Sequence, residues 1–239
     1  VNLLLLPIHL ITALSLVTTT SEAAPIEAGE YLAKTGAGTL VITSRKKGHY
    51  YKINAYGGNG HSCFVEGIVE NNTSLQKGDG GQDDCTITFS VTTDRIEVSH
   101  NLKSACSNFC GARASFTQPY YKTNELCRSK IKNKNLKLFK TYYSKKTYDL
   151  AENALRKVYD ACEPYMSIFE KMDMVNDLAV TYKNQKKKDA CLDLMKPFNE
   201  IADMSETDIK SGFPPGDADN LLPIAKKLKF NRDLCRNLQ

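Results

Sequence analysis

The sequence predicts an α+β protein: a small all-β meander or barrel over residues 24–123, then an all-α domain over residues 124–239. Three observations predict it. Short β-branched and aromatic runs recur up to about residue 123, separated by turn residues and with no helical pattern between them. Beyond residue 124 apolar residues recur at three and four, and glycine falls to Gly212 and Gly216. Eight cysteines, an even number, are shared between the two halves.

The first segment stands apart from both halves. An apolar run from Leu3 to Val17 is followed by threonines and by Ser21-Glu22-Ala23. The run is too short for a membrane span and reads as a secretory signal over residues 1–23, cleaved after Ala23. No Lys or Arg precedes the run. No second apolar run follows, so the mature chain is expected to have no membrane span and to be periplasmic or secreted. Export makes Cys63, Cys85, Cys106, Cys110, Cys127, Cys162, Cys191 and Cys235 a disulfide framework. Spacing does not dictate the connectivity; proximity within the β half favours Cys63–Cys85 as a single pairing.

The strands follow in order. GTLVITS (Gly38–Ser44) and HYYKINAY (His49–Tyr56) flank RKKG, a hairpin turn with Gly48 at positive φ. GGNG (Gly57–Gly60) breaks the chain before HSCFVEGIVE, and NNTSLQKGDGGQDD is a long turn-rich segment. In CTITFSVTT, Cys85, Ile87, Phe89 and Val91 share one face and threonines and serine the other. RIEVSH follows, and ASFTQPYYK closes the set. CSNFC (Cys106–Cys110) is not the CxxC of redox sites, and it lacks the extra Cys or His of a zinc site. It reads as a structural staple. The turn after it holds Arg113, either fixed by carbonyls or a carboxylate or exposed as a contact residue.

In the helical half Leu150, Ala151, Ala154, Leu155, Val158 and Ala161 form one stripe, ended by Cys162 and Pro164. A second unit runs from Met174 to Ile201, with a break at Asn184-Gln185. SGFPPGDADN reads as a loop, and a last helix runs from Leu221 to Leu238 with Pro223 near its first turn. Charge divides unequally: 10 Lys and Arg against 9 Asp and Glu over residues 24–123, and 22 against 17 over 124–239. The excess lies in Arg128–Lys146, with eight basic residues and no acid. That is the pattern of a solvated helix face, or of a surface for anionic polymers. No nucleic-acid partner is expected of an exported chain without a nucleic-acid motif.

The two helical units align. Leu138-Phe139 and Tyr142 correspond to Leu178-Ala179 and Tyr182, and Ala151, Leu155 and Val158 to Cys191, Met195 and Phe198, at an offset of 40 residues. This resembles a tetratricopeptide repeat, for which 34 residues is standard, so an insertion is expected near Glu163–Asp173. The resemblance implies a groove that binds peptide or protein segments, with the last helix as a cap. GNGHSCFVEG, Asp84-Cys85 and CSNFCGARASF, followed by NDLAVTY and LLPIAKKLKFNRDLC, resemble an uncharacterised family of exported proteobacterial proteins. That resemblance covers most of the mature chain and implies no particular activity. In size and cysteine use the β half is similar to periplasmic lysozyme inhibitors, an architectural analogy only.

No GxSxG, HExxH, P-loop or GxGxxG is present. His49 and His61 flank strands and could approach one another. Asp79, Asp83 and Asp84 lie in a glycine-rich loop that suits calcium in character but lacks EF-hand spacing, so a solvated turn is expected. Asn71-Asn72-Thr73-Ser74 holds glycosylation sequons, relevant only in a eukaryotic host. No metal and no cofactor are expected. The leading expectation is an exported, non-catalytic protein-binding module, in its most concrete form an inhibitor of an envelope-directed enzyme such as lysozyme. Arg113, Asp79, Asp83, Asp84, Tyr142, Asn176 and Tyr182 are its candidate binding residues. Two alternatives are a carboxylate-based hydrolase, for example with Glu66 and Asp84, and an envelope protein that holds anionic polymers through Arg128–Lys146.

Overall fold

A computed structural model describes residues 25–46, 48–78, 83–101 and 104–238. The expected signal segment, Lys47 and Asp79 lie outside these. The first half is one antiparallel sheet of eight strands: β1 (Gly29–Leu32), β2 (Gly38–Ser44), β3 (His49–Tyr56), β4 (Ser62–Val69), β5 (Thr73–Gln76), β6 (Cys85–Val91), β7 (Arg95–His100) and β8 (Pro119–Lys122). Their spatial order is β4-β3-β2-β1-β8-β7-β6-β5. The expected runs are all strands, and Gly48 has the positive φ its turn requires. GEYL and TSLQ add β1 and β5, the latter inside the segment read as turn.

The sheet nearly closes into a barrel. Its ends, β4 and β5, are consecutive in sequence and joined by a tight turn through the Glu70–Thr73 bridge. Beyond that turn the seam is held by a side chain. Gln76 Nε2 donates to the Glu66 carbonyl (3.1 Å) and to Tyr51 Oη (3.1 Å). Gly67 makes room for it: a Cβ there would lie 2.5 Å from Gln76 Nε2. Leu40, Ile53, Tyr51, Ile87, Phe89, Phe116 and Tyr120 fill the interior and are essentially water-free.

The pairing Cys63–Cys85 is corrected. Those cysteines sit toward opposite ends of the sheet, on β4 and β6, and each bonds to the CSNFC stretch: Cys63–Cys110 and Cys85–Cys106. The staple reading of CxxxC holds, with one short segment tying β4 and β6, the strands on either side of β5. Cys127–Cys162 and Cys191–Cys235 complete the set in the helical half. Four bridges fit a protein that folds outside the cytoplasm. His49 and His61 do not meet: the register pairs His49 with Val69 and Tyr56 with Ser62, so the two histidines mark opposite ends of one hairpin.

The second half contains α1 (Ser129–Ser144), α2 (Tyr148–Cys162), α3 (Ile168–Asn184), α4 (Lys188–Met195), α5 (Asn199–Asp203), α6 (Glu206–Gly212) and α7 (Pro215–Arg236). The 40-residue offset is visible in the backbone. Lys146 and Lys186 both have φ of 60° at the hairpin tips. Thr147 N–H donates to the Tyr142 carbonyl (3.0 Å) as Lys187 N–H does to that of Tyr182 (2.9 Å). Thr141 and Thr181 hydroxyls each bond the carbonyl four residues back. Ala151, Leu155, Val158, Cys191, Met195 and Phe198 are buried as aligned. Leu150 departs from the expected stripe and is half exposed; it lies one position before the α2 apolar face, near the hairpin tip. The last helix also starts earlier than expected. Pro215 occupies its first turn, where a missing N–H costs nothing, so GDADN is helical rather than loop. Among the described residues no helix is long and apolar enough to cross a membrane.

The barrel receives the N-termini of three helices. Glu30 of β1 accepts the Ser129 N–H (3.1 Å) at the start of α1. Gly36, at φ 70°, packs so closely on Ser167, the N-cap of α3, that any Cβ would strike its backbone. Asn59 Oδ1 accepts the Gly216 N–H (2.9 Å) at the start of α7, while Asp217 accepts the Asn59 N–H (3.0 Å). Glu30 and Asn59 thereby satisfy donors that the starts of α1 and α7 leave orphaned. Leu32 and the Tyr121–Tyr165 ring contact (6.1 Å) extend the same junction.

Candidate binding groove

The three helices anchored on the barrel, α1, α3 and α7, enclose a groove of about 580 Å³. Helical spacing builds it. Glu170, Asp173, Met174 and Asp177 follow at three and four along α3, so they share one face. Leu136, Phe139 and Lys140 of α1 form one wall, and Lys227 of α7 stands on the other. Phe139 and Met174 are buried and give an apolar floor; Asp173, Lys140 and Lys227 are exposed at the rim. A Lys132–Glu170 ion pair (2.7 Å) closes one end, and Asn184 Nδ2 donates to Tyr143 Oη (3.1 Å) between α3 and α1.

Asn176 lines the groove, as expected of a binding residue, but its amide is committed to α7. Its Oδ1 accepts from Asn231 Nδ2 at 2.8 Å, a buried tie that fixes the spacing of the two helices. Asp177 is the electrostatic centre. Burial first, then the negative charge of Asp173, raises its pKa from the ordinary 3.8 to about 6, against the pull of Lys140 and Lys227. A carboxyl poised there carries a charge that an occupant can switch.

The other candidate residues lie elsewhere. Tyr182 is buried beneath α4 and its hydroxyl accepts from Arg156 (3.4 Å); Tyr142 is half-buried and takes the same turn position in the first hairpin. Neither lines the groove. Arg113 is exposed in the turn after CSNFC, and its carbonyl lies against Gly57. Asp83 is exposed. Asp84 closes its loop by accepting from Lys77 (2.8 Å) and the Gly78 N–H (3.0 Å), which hold its carboxyl below the usual range. Glu66 is likewise held low by Lys52 and Tyr50, so each carboxyl of the proposed Glu66 and Asp84 pair is neutralised by its own lysine. Along Arg128–Lys146, Arg128 pairs with Glu125 and Lys132 with Glu170, while Lys130, Lys134 and Lys137 are exposed along α1.

Sequence reasoning missed Asp173, Asp177 and Lys227, and took Lys140 only as part of the basic Arg128–Lys146 stretch. The available signal was three acids, Glu170, Asp173 and Asp177, at spacings of three and four along one helix face. Set against family profiles, curated proteins and solved structures, the chain matches none of them.

Proposed function

We propose that the protein is an exported, non-catalytic binding module that holds a segment of a protein partner in the α1–α3–α7 groove. The observation that carries this reading is the groove itself: an apolar floor with a mixed-charge rim, on three helices whose starts are pinned to a rigid disulfide-tied barrel. Preorganised walls lower the ordering cost of binding. The repeated hairpins, read as tetratricopeptide-like, support a groove along the first helix of each pair, and membership of the CxxxCGARASF family belongs to the same proposal. Periplasmic or secreted placement follows from the expected signal. The most concrete partner is an envelope-directed enzyme such as lysozyme.

The test is paired capture and inhibition. Oxidised residues 24–239 are immobilised beside Lys140→Glu and Lys227→Glu, both changes at exposed rim positions. A stoichiometric protein held by the wild type and lost by both variants is expected, and lysozyme turbidity assays with the same three proteins test the concrete version. Equal retention by all three, or none by the wild type, overturns the groove reading. The raised pKa of Asp177 beside Asp173 favours one second reading, a hydrolase with Asp177 as acid and Asp173 as base. Turnover of a glycan and peptide panel, abolished by Asp177→Asn, would select it.

A further inference from the structure

The fold sorts the basic stretch Arg128–Lys146. Arg128 and Lys132 hold carboxylates of the protein, and Lys140 stands at the groove rim. Lys130, Lys134 and Lys137 follow at four and three along α1, so they share one face, and Lys145 continues it just past the helix end. All four are exposed, and none of them forms an ion pair among the described residues. The opposite side of α1, where Asn135 and Phe139 are buried, packs on α2 and α3. This pattern works against the helix. With no Asp or Glu in α1, no pair within it offsets the lysines, and like charges at these spacings repel. Lys130 also lies in the first turn, where the positive end of the helix dipole disfavours it. A face that served only solvation would mix the signs, as α2 does with Arg156 and Asp160 and α6 with Glu206 and Lys210.

We propose that this outer face of α1 binds a linear anionic polysaccharide, one with carboxylates on its sugar rings. Its site is separate from the α1–α3–α7 groove. Charge and spacing select the occupant. Intervals of four and three residues set the lysines about 6 and 4.5 Å apart along the axis, and the stripe to Lys145 runs roughly 22 Å. A polyuronate, with one carboxylate on each ring, repeats its charge at a comparable interval, so several sugars can lie along the stripe at once. Between the lysines stand Asn133, Thr141 and Ser144, exposed amide and hydroxyl groups that pair with sugar hydroxyls. Lys130, Asn133, Lys134, Lys137 and Thr141 border one depression over half-buried Leu138. Other anions fit less well. A lipid surface wants an exposed apolar wedge beside the lysines, and this face has none. Single-stranded nucleic acid wants exposed rings to stack on, but Phe139, Tyr142 and Tyr143 pack inward. An acidic protein would want a buried aromatic or apolar anchor at the centre of the contact.

The test is fluorescence anisotropy of labelled polygalacturonate oligomers titrated with the oxidised chain at low and high salt. Saturable binding is expected, weakening steeply as salt rises and indifferent to neutral dextran as competitor. The triple change Lys130→Gln, Lys134→Gln, Lys137→Gln should lower affinity at least ~10-fold. A second triple, Lys157→Gln, Lys196→Gln, Lys229→Gln, removes the same charge from exposed positions elsewhere and should leave affinity nearly unchanged. Near-UV dichroism checks that both variants fold. Absence of binding at low salt overturns the proposal. Equal losses from the two triples also overturn it, since net charge alone would then account for the attraction. So does tighter binding of phosphatidylglycerol vesicles or of single-stranded DNA at equal salt, lost in the first triple, which would give the face to a different anion.

Discussion

Replacing Asp177 by Asn should stabilise the protein at neutral and higher pH and do almost nothing at pH 3. The native carboxyl titrates at about 6 and the unfolded one at its ordinary 3.8. Between those values the native state binds more protons than the unfolded state, so stability falls as pH rises through the window. Below it both states are protonated and the residue costs nothing. Above it the fold carries an ionised, largely buried carboxylate, at about 3 kcal/mol. Asn has nearly the shape of the protonated acid and does not ionise. The gain should therefore approach 3 kcal/mol above pH 7, or about 6–12 °C in Tm for a chain of this size.

The assay is urea unfolding of oxidised wild type and Asp177→Asn at pH 3, 5 and 8. The difference should be near zero at pH 3, partial at pH 5 and largest at pH 8. Asp173→Asn should give a smaller gain, since Asp173 is the second cause of the shift, whereas Lys140→Gln or Lys227→Gln should enlarge the cost. A gain independent of pH, or a loss at pH 8, would refute the reasoning. Natural retention of a costly carboxylate also bears on function: the more stable Asn variant should lose the groove's partner, the usual trade between stability and a working site.

Other outcomes follow from the same contacts. Gly67→Ala should destabilise by ~1–3 kcal/mol through overpacking at the seam, and adding Gln76→Ala should recover much of that loss; urea midpoints of the two variants decide it. Removing Cys63–Cys110 as a paired serine variant should cost about 4 kcal/mol and Cys85–Cys106 about 3, in order of the loops closed, 47 and 21 residues. Asn59→Ala removes the acceptor at the start of α7 and should cost roughly 0.5–2 kcal/mol, with hydrogen exchange faster in the first turn of α7 than elsewhere.

What was legible in the sequence is what local chemistry decides. Alternation in CTITFSV placed Cys85, Ile87 and Phe89 on one face because a strand has a period of two, and all three are buried. The hairpin repeat was legible because each tip reuses one turn, and the same carbonyls, those of Tyr142 and Tyr182, close it. Tyr182 itself shows the limit of that reading. An aromatic at a repeated position looks like a contact residue, yet here it packs the core, since a turn anchor and a ligand contact leave the same trace in sequence.

The rest was hidden because it depends on encounters between distant segments. Nothing local pairs Cys63 with Cys110: that follows from β4 and β6 lying toward opposite ends of a sheet whose middle is β1 and β8. Asn59 looked like a chain break because its left-handed backbone is a turn signal, while its cap on α7 lies 157 residues away. The groove combines both effects. Asp177 became unusual only when α1 and α7 packed beside α3, helices held by Glu30 and Asn59 at their starts and, for α7, by the Asn176–Asn231 tie as well. The barrel is thus one of the parts that set the charge state of the groove. A change at Asn59 should move the pKa of Asp177 toward its ordinary value although the two residues share no contact, and carboxyl NMR titration of Asn59→Ala would measure that shift.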